Sequence, residues 1–181
     1  MAKSNNTLCL DKFYPEKDLM ITDIAQQSDK IIIRMKSTSS SCKCPKCNHI
    51  TQKYHGTYTR KVQDLPILGK NVQLEICSHE YACLNDECEA VSIAETFDGF
   101  LNNYSRMTER CADFICTLAL ETSCEGCARV CHTLGIKTSG DTVIRLLLKR
   151  YESLPQPEVS DVIGVDDFAY KKRHTYAMSL T

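Results

Sequence analysis

Cys44-Pro45-Lys46-Cys47 and Cys83-Leu84-Asn85-Asp86-Glu87-Cys88 decide how this chain is read. Each pair sets two thiols on a short loop, so that both sulfurs can face one ion. Together they supply four thiolates, the number that a closed tetrahedral zinc site takes. Residues 48–82 make a long insert for a simple finger, but they read as strands that could carry one knuckle to the other. The pattern therefore points to a structural Zn2+ held by Cys44, Cys47, Cys83 and Cys88. No coordination position is left open, so the ion's expected role is scaffolding. A redox pair would need a single Cys-x-x-Cys and would leave the second knuckle unexplained. Cys42, His49, Cys77 and His79 are nearby substitutes. Cys42 would form a Cys-x-Cys tighter than a usual knuckle, and His79 reads as a strand-surface residue.

Outward from the knuckles the pattern is β. Tyr54 to Val62 is rich in Tyr, Thr and Val, with Gly56 marking a bulge. Asp64-Leu65-Pro66 is expected to break that strand, and Leu68-Gly69-Lys70-Asn71 to form a turn. Asn71 to Cys77 alternates, with Val72, Leu74 and Ile76 on one face and Gln73 and Glu75 on the other. Upstream, Lys30 to Lys36 is a β-branched strand. Leu19 to Ile24 reads as a short strand or a helical turn, and Ser37 to Ser41 as a polar linker.

From Arg106 the period becomes helical. Cys111, Phe114, Ile115, Leu118 and Ala119 share one face, with Thr108 as N-cap and Glu109 near the positive helix end. A second helix spans about Cys124 to Leu134 and stops at Gly135. Thr138 and Asp141 resemble a capping box for a third helix that turns Val143, Ile144, Leu147 and Leu148 inward. Helix, glycine turn, helix is the layout of a helix-turn-helix, and equally of a plain three-helix bundle. Under the first reading, Thr138, Ser139, Thr142, Arg145 and Lys149 would face duplex DNA, as a recognition helix does. Arg106, Arg110 and Arg129 would add phosphate contacts.

The 181 residues fit one ordinary domain or two small ones, and 43% hydrophobic with 25% charged residues is normal for a globular chain. A formal net charge of −1 confines any nucleic-acid site to a local patch. No apolar run is long enough to span a bilayer, and Met1 to Asp18 lacks the apolar core of a secretory signal, so the expected location is cytoplasmic. Twelve cysteines could suggest a disulfide scaffold, but the metal-type pairs and absent export signal argue otherwise. Cys111, Cys116, Cys124, Cys127 and Cys131 read as small buried hydrophobes, although Cys124 and Cys127 form a further Cys-x-x-Cys. After the linker Leu154-Pro155-Gln156-Pro157 comes Val162 to Phe168, an apolar strand ending in Asp166 and Asp167. These are two surface carboxylates at a turn, or the start of a two-magnesium phosphoryl-transfer site. Lys171-Lys172-Arg173 is a basic turn, and Tyr176 to Leu180 the next strand.

This order of motifs resembles the N-terminal half of the ISL-three insertion-sequence transposases. The residues that carry the likeness are Cys-Pro-x-Cys, His55-Gly56-x-Tyr58-x-Arg60, Asp64-Leu65-Pro66, the second knuckle and Gly164-Val165-Asp166-Asp167-Phe168-Ala169. The resemblance implies an α+β chain in four parts. Residues 1–41 are an N-terminal segment with one strand, and 42–90 a small β-rich zinc ribbon. Residues 104–152 are a three-helix helix-turn-helix domain, and 160–181 an incomplete ribonuclease-H-like β segment. It implies binding to double-stranded DNA at transposon terminal inverted repeats, compatibility with a homodimer, no membrane, and a bacterial cytoplasmic, nucleoid-associated setting. In that family an Asp-Asp-Glu triad binds Mg2+. Asp166 matches the first aspartate, with Asp167 as the register alternative. The sequence stops at Thr181 before any counterpart of the other two acids. The expectation is therefore a catalytically incomplete DNA-binding fragment that holds no stable Mg2+. The competing readings are a zinc-ribbon, helix-turn-helix transcriptional regulator and a protein-interaction adaptor stapled by zinc.

Overall fold

Alternating β-branched and aromatic residues on either side of Leu68-Gly69 fold into the longest hairpin of the chain. The computed structural model describes residues 18–102, 104–155, 165–171 and 175–180. Strand β5 (Tyr54–Ile67) pairs antiparallel with β6 (Lys70–Ala82), from Tyr54 opposite Tyr81 to Ile67 opposite Lys70. Leu68 (φ 51°) and Gly69 (φ 73°) form the turn. Two left-handed residues in succession match the twist of the flanking strands. Lys70 and Asn71, expected in the turn, are already strand. The expected break at Asp64-Leu65-Pro66 does not occur either. The strand runs through it, and a register shift between Asp64 and Ile67 accommodates Pro66, which has no N–H for the ladder. A second shift falls between Tyr54 and Gly56, where the sequence places a bulge.

β6 is the central strand. Its other edge receives β2 (Lys30–Ser37) in parallel register and, further along, β7 (Ser92–Ala94) antiparallel. β1 (Leu19–Gln26) pairs antiparallel outside β2, giving the order β1-β2-β6-β5. One sheet thus spans residues on both sides of the expected division at 41/42. The pairing of Lys30–Lys36 with Asn71–Cys77 is long-range, and a strand's own sequence does not name its partner. Ile33, Met35, Val62, Val72, Leu74 and Ile76 pack with Phe97, Phe100 and Leu101 in a buried cluster. A separate ribbon, β3 (Cys42–Lys43) with β4 (Ile50–Thr51), carries the first knuckle.

The helices are α1 (Glu109–Leu120), α2 (Cys124–Thr133) and α3 (Gly140–Ser153). Thr108 caps α1 by accepting the Cys111 N–H, as its sequence position suggests, and Ser123 caps α2. Gly135 (φ 87°) ends α2 in the left-handed conformation, where a Cβ would also come within 3.0 Å of the Asn71 side chain. Cys111, Ile115, Cys127, Cys131, Ile136 and Val143 form the buried centre of the helical part. Cys127 lies inside it and Cys124 packs against it, so this Cys-x-x-Cys belongs to the core. Two expectations for α3 need correction. Ser139, not Thr138, caps it, since its Oγ accepts the Thr142 N–H at 3.3 Å. Ile144 and Leu148 are 46% and 56% exposed. With Val143 fixing the buried direction, the inward positions one turn on are Leu146 and Leu147.

β5 holds these helices. The Gln63 N–H donates to the Arg106 carbonyl (2.8 Å), and the Thr108 N–H to the Gln63 carbonyl (3.0 Å). The Gln63 side chain brackets the Lys137 backbone, accepting its N–H at 2.8 Å and donating to its carbonyl at 3.3 Å. Leu65 packs against the helical core.

The chain divides into two compact units, Met1–Leu148 and Lys149–Thr181. In the second, β8 (Val165–Lys171) and β9 (Thr175–Leu180) pair antiparallel, with a register shift between Ala169 and Lys171. Residues 162–164, 172–174 and the linker prolines' continuation at 156–157 lie outside the described residues, as does Cys9. Among the described residues no helix is long and apolar enough to cross a membrane.

Candidate metal centre and helical face

The first knuckle is shaped by its backbone. The Cys44 N–H donates to the His49 carbonyl (2.8 Å), and the Asn48 N–H to the Cys44 carbonyl (2.9 Å). Asn48 takes a left-handed φ of 60°, which asparagine tolerates well. In the second knuckle the Cys88 N–H donates to the Asn85 carbonyl (2.9 Å) and the Glu87 N–H to Asn85 Oδ1 (3.1 Å). The Thr51 hydroxyl donates to the Ala82 carbonyl at 2.8 Å, which ties β4 to the end of β6 where the second knuckle begins.

Cys44, Cys47, Cys83 and Cys88 then converge, with all four sulfurs within 4.8 Å of one another. Cys44 and Cys88 are 3.8 Å apart, and Cys47 and Cys83 3.7 Å. Sulfurs ~2.3 Å from a zinc ion at tetrahedral angles stand roughly 3.8 Å apart, so donor type, number and spacing all fit Zn2+. The electrostatics agree. A hydrogen bond from the His49 backbone draws the Cys47 thiol down to about 6. At Cys83 the Asn85 backbone acts in the same direction but is outweighed by burial and the neighbouring sulfurs, and the thiol is pushed up to about 12. Four thiolates at this spacing oppose one another's ionisation, and a divalent cation removes that opposition. Tyr81, Ile93 and Cys42 form a buried cluster with Cys44, and Cys47, Cys83 and Cys88 pack half-buried against it.

The substitutes do not join the cluster. Cys42 is buried, with Sγ 3.8 Å from the Ala94 carbonyl, and burial and Glu95 push its thiol up. His79 is not a surface residue. Its Nδ1 lies 3.5 Å from the buried carboxylate of Glu95 and its N–H donates to Glu95 Oε2 at 2.6 Å. The Ser37 hydroxyl donates to the same carboxylate at 2.7 Å.

On the helical side, Ser139 and Arg145 are exposed and Thr142 is half-buried. Ser139 and Thr142 hydroxyls lie 3.0 Å apart, and Arg145 Nε donates back to the Asp141 carbonyl at 3.3 Å. Lys149 is exposed on the same helix. The Thr138 hydroxyl is enclosed and has no hydrogen-bond partner among the described residues. Arg106 and Arg129 are exposed. Arg110 is not a free phosphate ligand: both its Nε (2.8 Å) and an Nη hold the Asp64 carboxylate. Asp64, fully buried, also accepts from the Thr108 hydroxyl (2.7 Å) and the Leu65 N–H (2.8 Å). Burial opposes its charge, but Arg110 and Thr108 win and hold the carboxyl below its ordinary range. The sequence did carry a signal for this residue. Strand alternation puts Asp64 on the inward face with Val62, and a carboxylate there requires a partner. Asp166 and Asp167 stand on β8 opposite Ser179 and Met178 of β9.

Two thiol knuckles brought together at the end of a β-hairpin define a zinc ribbon with a structural Zn2+ site. Residues 40–88 match the family described as the zinc-finger of transposase IS204/IS1001/IS1096/IS1165. The chain is also 27% identical, over 151 residues, to the "Transposase for insertion sequence element IS1001" of Bordetella parapertussis. That alignment takes in 80% of this chain and 34% of the relative, so the chain spans about a third of that protein's length. Both findings support the resemblance to ISL-three transposases read from the motifs. No solved structure gives a significant match.

Proposed function

We propose that this chain is a duplex-DNA-binding part of an insertion-sequence transposase. In this reading, residues 42–90 are a zinc-stapled scaffold and residues 104–152 a helix-turn-helix. Its third helix reads transposon ends through Ser139, Thr142, Arg145 and Lys149, while the Thr138 hydroxyl, enclosed in the structure, is not among the contacts. The observation that carries the reading is the convergence of Cys44, Cys47, Cys83 and Cys88 within the segment that matches a transposase zinc-finger. The exposed, hydrogen-bond-capable N-terminal end of α3 supports the assignment of the reading helix. β8 and β9 are read as the opening of a ribonuclease-H-like catalytic domain, with Asp166 in the place of the first Mg2+-binding aspartate. Homodimerisation and residence on the bacterial nucleoid follow from the same reading. Nothing in the fold or the comparisons favours the regulator alternative.

The test is an electrophoretic mobility shift on terminal inverted repeats beside a mixed-sequence duplex, across a range of salt. Salt-dependent binding with preference for the repeats is expected. Arg145→Ala should weaken repeat binding by about 1–3 kcal/mol and narrow that preference, with zinc content unchanged. Equal affinity for both duplexes would remove the end-reading role.

A further inference from the structure

Where the sheet meets the helical part, Lys30, Lys61, Arg106 and Lys137 line a hollow of about 230 Å3 against a single carboxylate, Asp29. Four cations less one anion leave a local charge of +3 in a chain whose formal net charge is −1. Two of the cations are set in place by one residue. The Gln63 N–H holds the Arg106 carbonyl, and the Gln63 amide brackets the backbone of Lys137. Both side chains are exposed, and among the described residues neither forms an ion pair. Lys30 and Lys61 are less available: Lys30 Nζ donates to Gln73 Oε1 at 2.5 Å, and Lys61 Nζ lies 3.9 Å from Glu75.

The hollow leads towards α3. It shares Asn71 and Lys137 with a second hollow of about 430 Å3, whose lining includes His132, Ser139 and Thr142. An adjoining pair of hollows with cationic and polar walls suits a polyanionic backbone and offers little to an apolar peptide. We infer that it seats the sugar-phosphate backbone of the duplex that α3 reads, with Arg106 and Lys137 as the phosphate contacts and Gln63 as their positioning residue. This deepens the DNA-binding proposal above and rests on it. Phosphate contacts set register and supply the salt-dependent part of affinity without choosing sequence.

The zinc-loaded 181-residue chain is titrated by fluorescence anisotropy onto a mixed-sequence duplex and an inverted-repeat duplex at several salt concentrations. Each phosphate contact contributes about 0.9 to the slope of log K against log salt. Arg106→Gln/Lys137→Gln should therefore flatten the slope by about 1.8 on both duplexes alike. Arg106→Lys/Lys137→Arg should keep it. Zinc content and circular dichroism report whether the double variant is folded. If it is not, the two single variants repeat the test, each expected to remove about half the change. An unchanged slope in folded variants, while the wild type binds and Arg145→Ala weakens it, overturns the phosphate contacts and leaves the α3 reading standing. A wild type that shows no salt-dependent binding to either duplex overturns both.

Discussion

Asp64→Ala should loosen the helices from the sheet, and its cost can be worked from the contacts it removes. The carboxylate accepts from the Thr108 hydroxyl, the Leu65 N–H and two guanidinium nitrogens of Arg110. Each of the two neutral donors loses about 1 kcal/mol. The charged pair would lose about 1.5–3 kcal/mol if wholly buried, but Arg110 is 44% exposed and recovers water, which reduces that share by about half. The sum is about 2–4 kcal/mol, a large part of a typical domain's stability. Asp64→Asn keeps Oδ1 as the acceptor for Thr108 and Leu65 but loses the charge and sets an amide NH2 in place of the oxygen that accepts from the Arg110 Nη, so about 1–2 kcal/mol is expected. The chain has no tryptophan, so urea unfolding of the zinc-loaded protein is followed by circular dichroism of the helices. With a slope of about 2 kcal/mol per molar, the alanine midpoint should drop by roughly 1–2 M. The difference should depend on pH. Because the folded carboxyl titrates below the unfolded value of about 3.9, its contribution is complete above that pH and is lost as pH falls through the folded value. Wild type and Asp64→Ala should therefore converge in acid. Equal midpoints at neutral pH would refute the link.

Three further outcomes are expected. Cys83→Ser should abolish binding of one zinc per chain in metal analysis and unfold the ribbon while the core thiols of α2 stay unreactive, since the metal's binding energy of about 10–16 kcal/mol is folding energy; a folded, metal-free ribbon would reject the site. Leu68→Asn should raise stability by about 1 kcal/mol in the same urea assay, because leucine is disfavoured at φ 51° and at 94% exposure has no packing to lose; a lower midpoint would mean the turn is not left-handed. Glu95→Ala should cost about 1–3 kcal/mol by leaving the Ser37 hydroxyl and the His79 N–H without their acceptor; no change would show that this buried network is not a fold determinant.

What could be read from the chain in advance, and what could not, follows the range of the interactions. The knuckles were legible because metal ligation imposes a residue type and spacing that chance seldom produces, and Thr108 and Gly135 because caps and left-handed ends act over four residues. The parallel pairing of β2 with β6 was not, because Lys30–Lys36 carries no mark of its partner forty residues on. Asp64-Leu65-Pro66 shows how a local rule misleads. Proline suggests a broken strand, yet here a bulge absorbs it, and the flanking residues do the work of assembly: Gln63 by backbone and amide, Asp64 by charge, Leu65 by packing. The same triplet gives Arg110, expected as a phosphate contact, a partner inside the protein. A basic residue near a helix start has two competing partners, an internal carboxylate and an external phosphate. A buried carboxylate with its donors already within 3 Å wins, because leaving it unpaired costs more than forgoing one solvated contact with DNA. Among the described residues Arg106 has no such internal rival, and Gln63 grips only its backbone, so its charge stays available. Of two arginines four residues apart, the one that faces Asp64 is thus tied into the fold, and the other keeps its charge for the proposed phosphate contact.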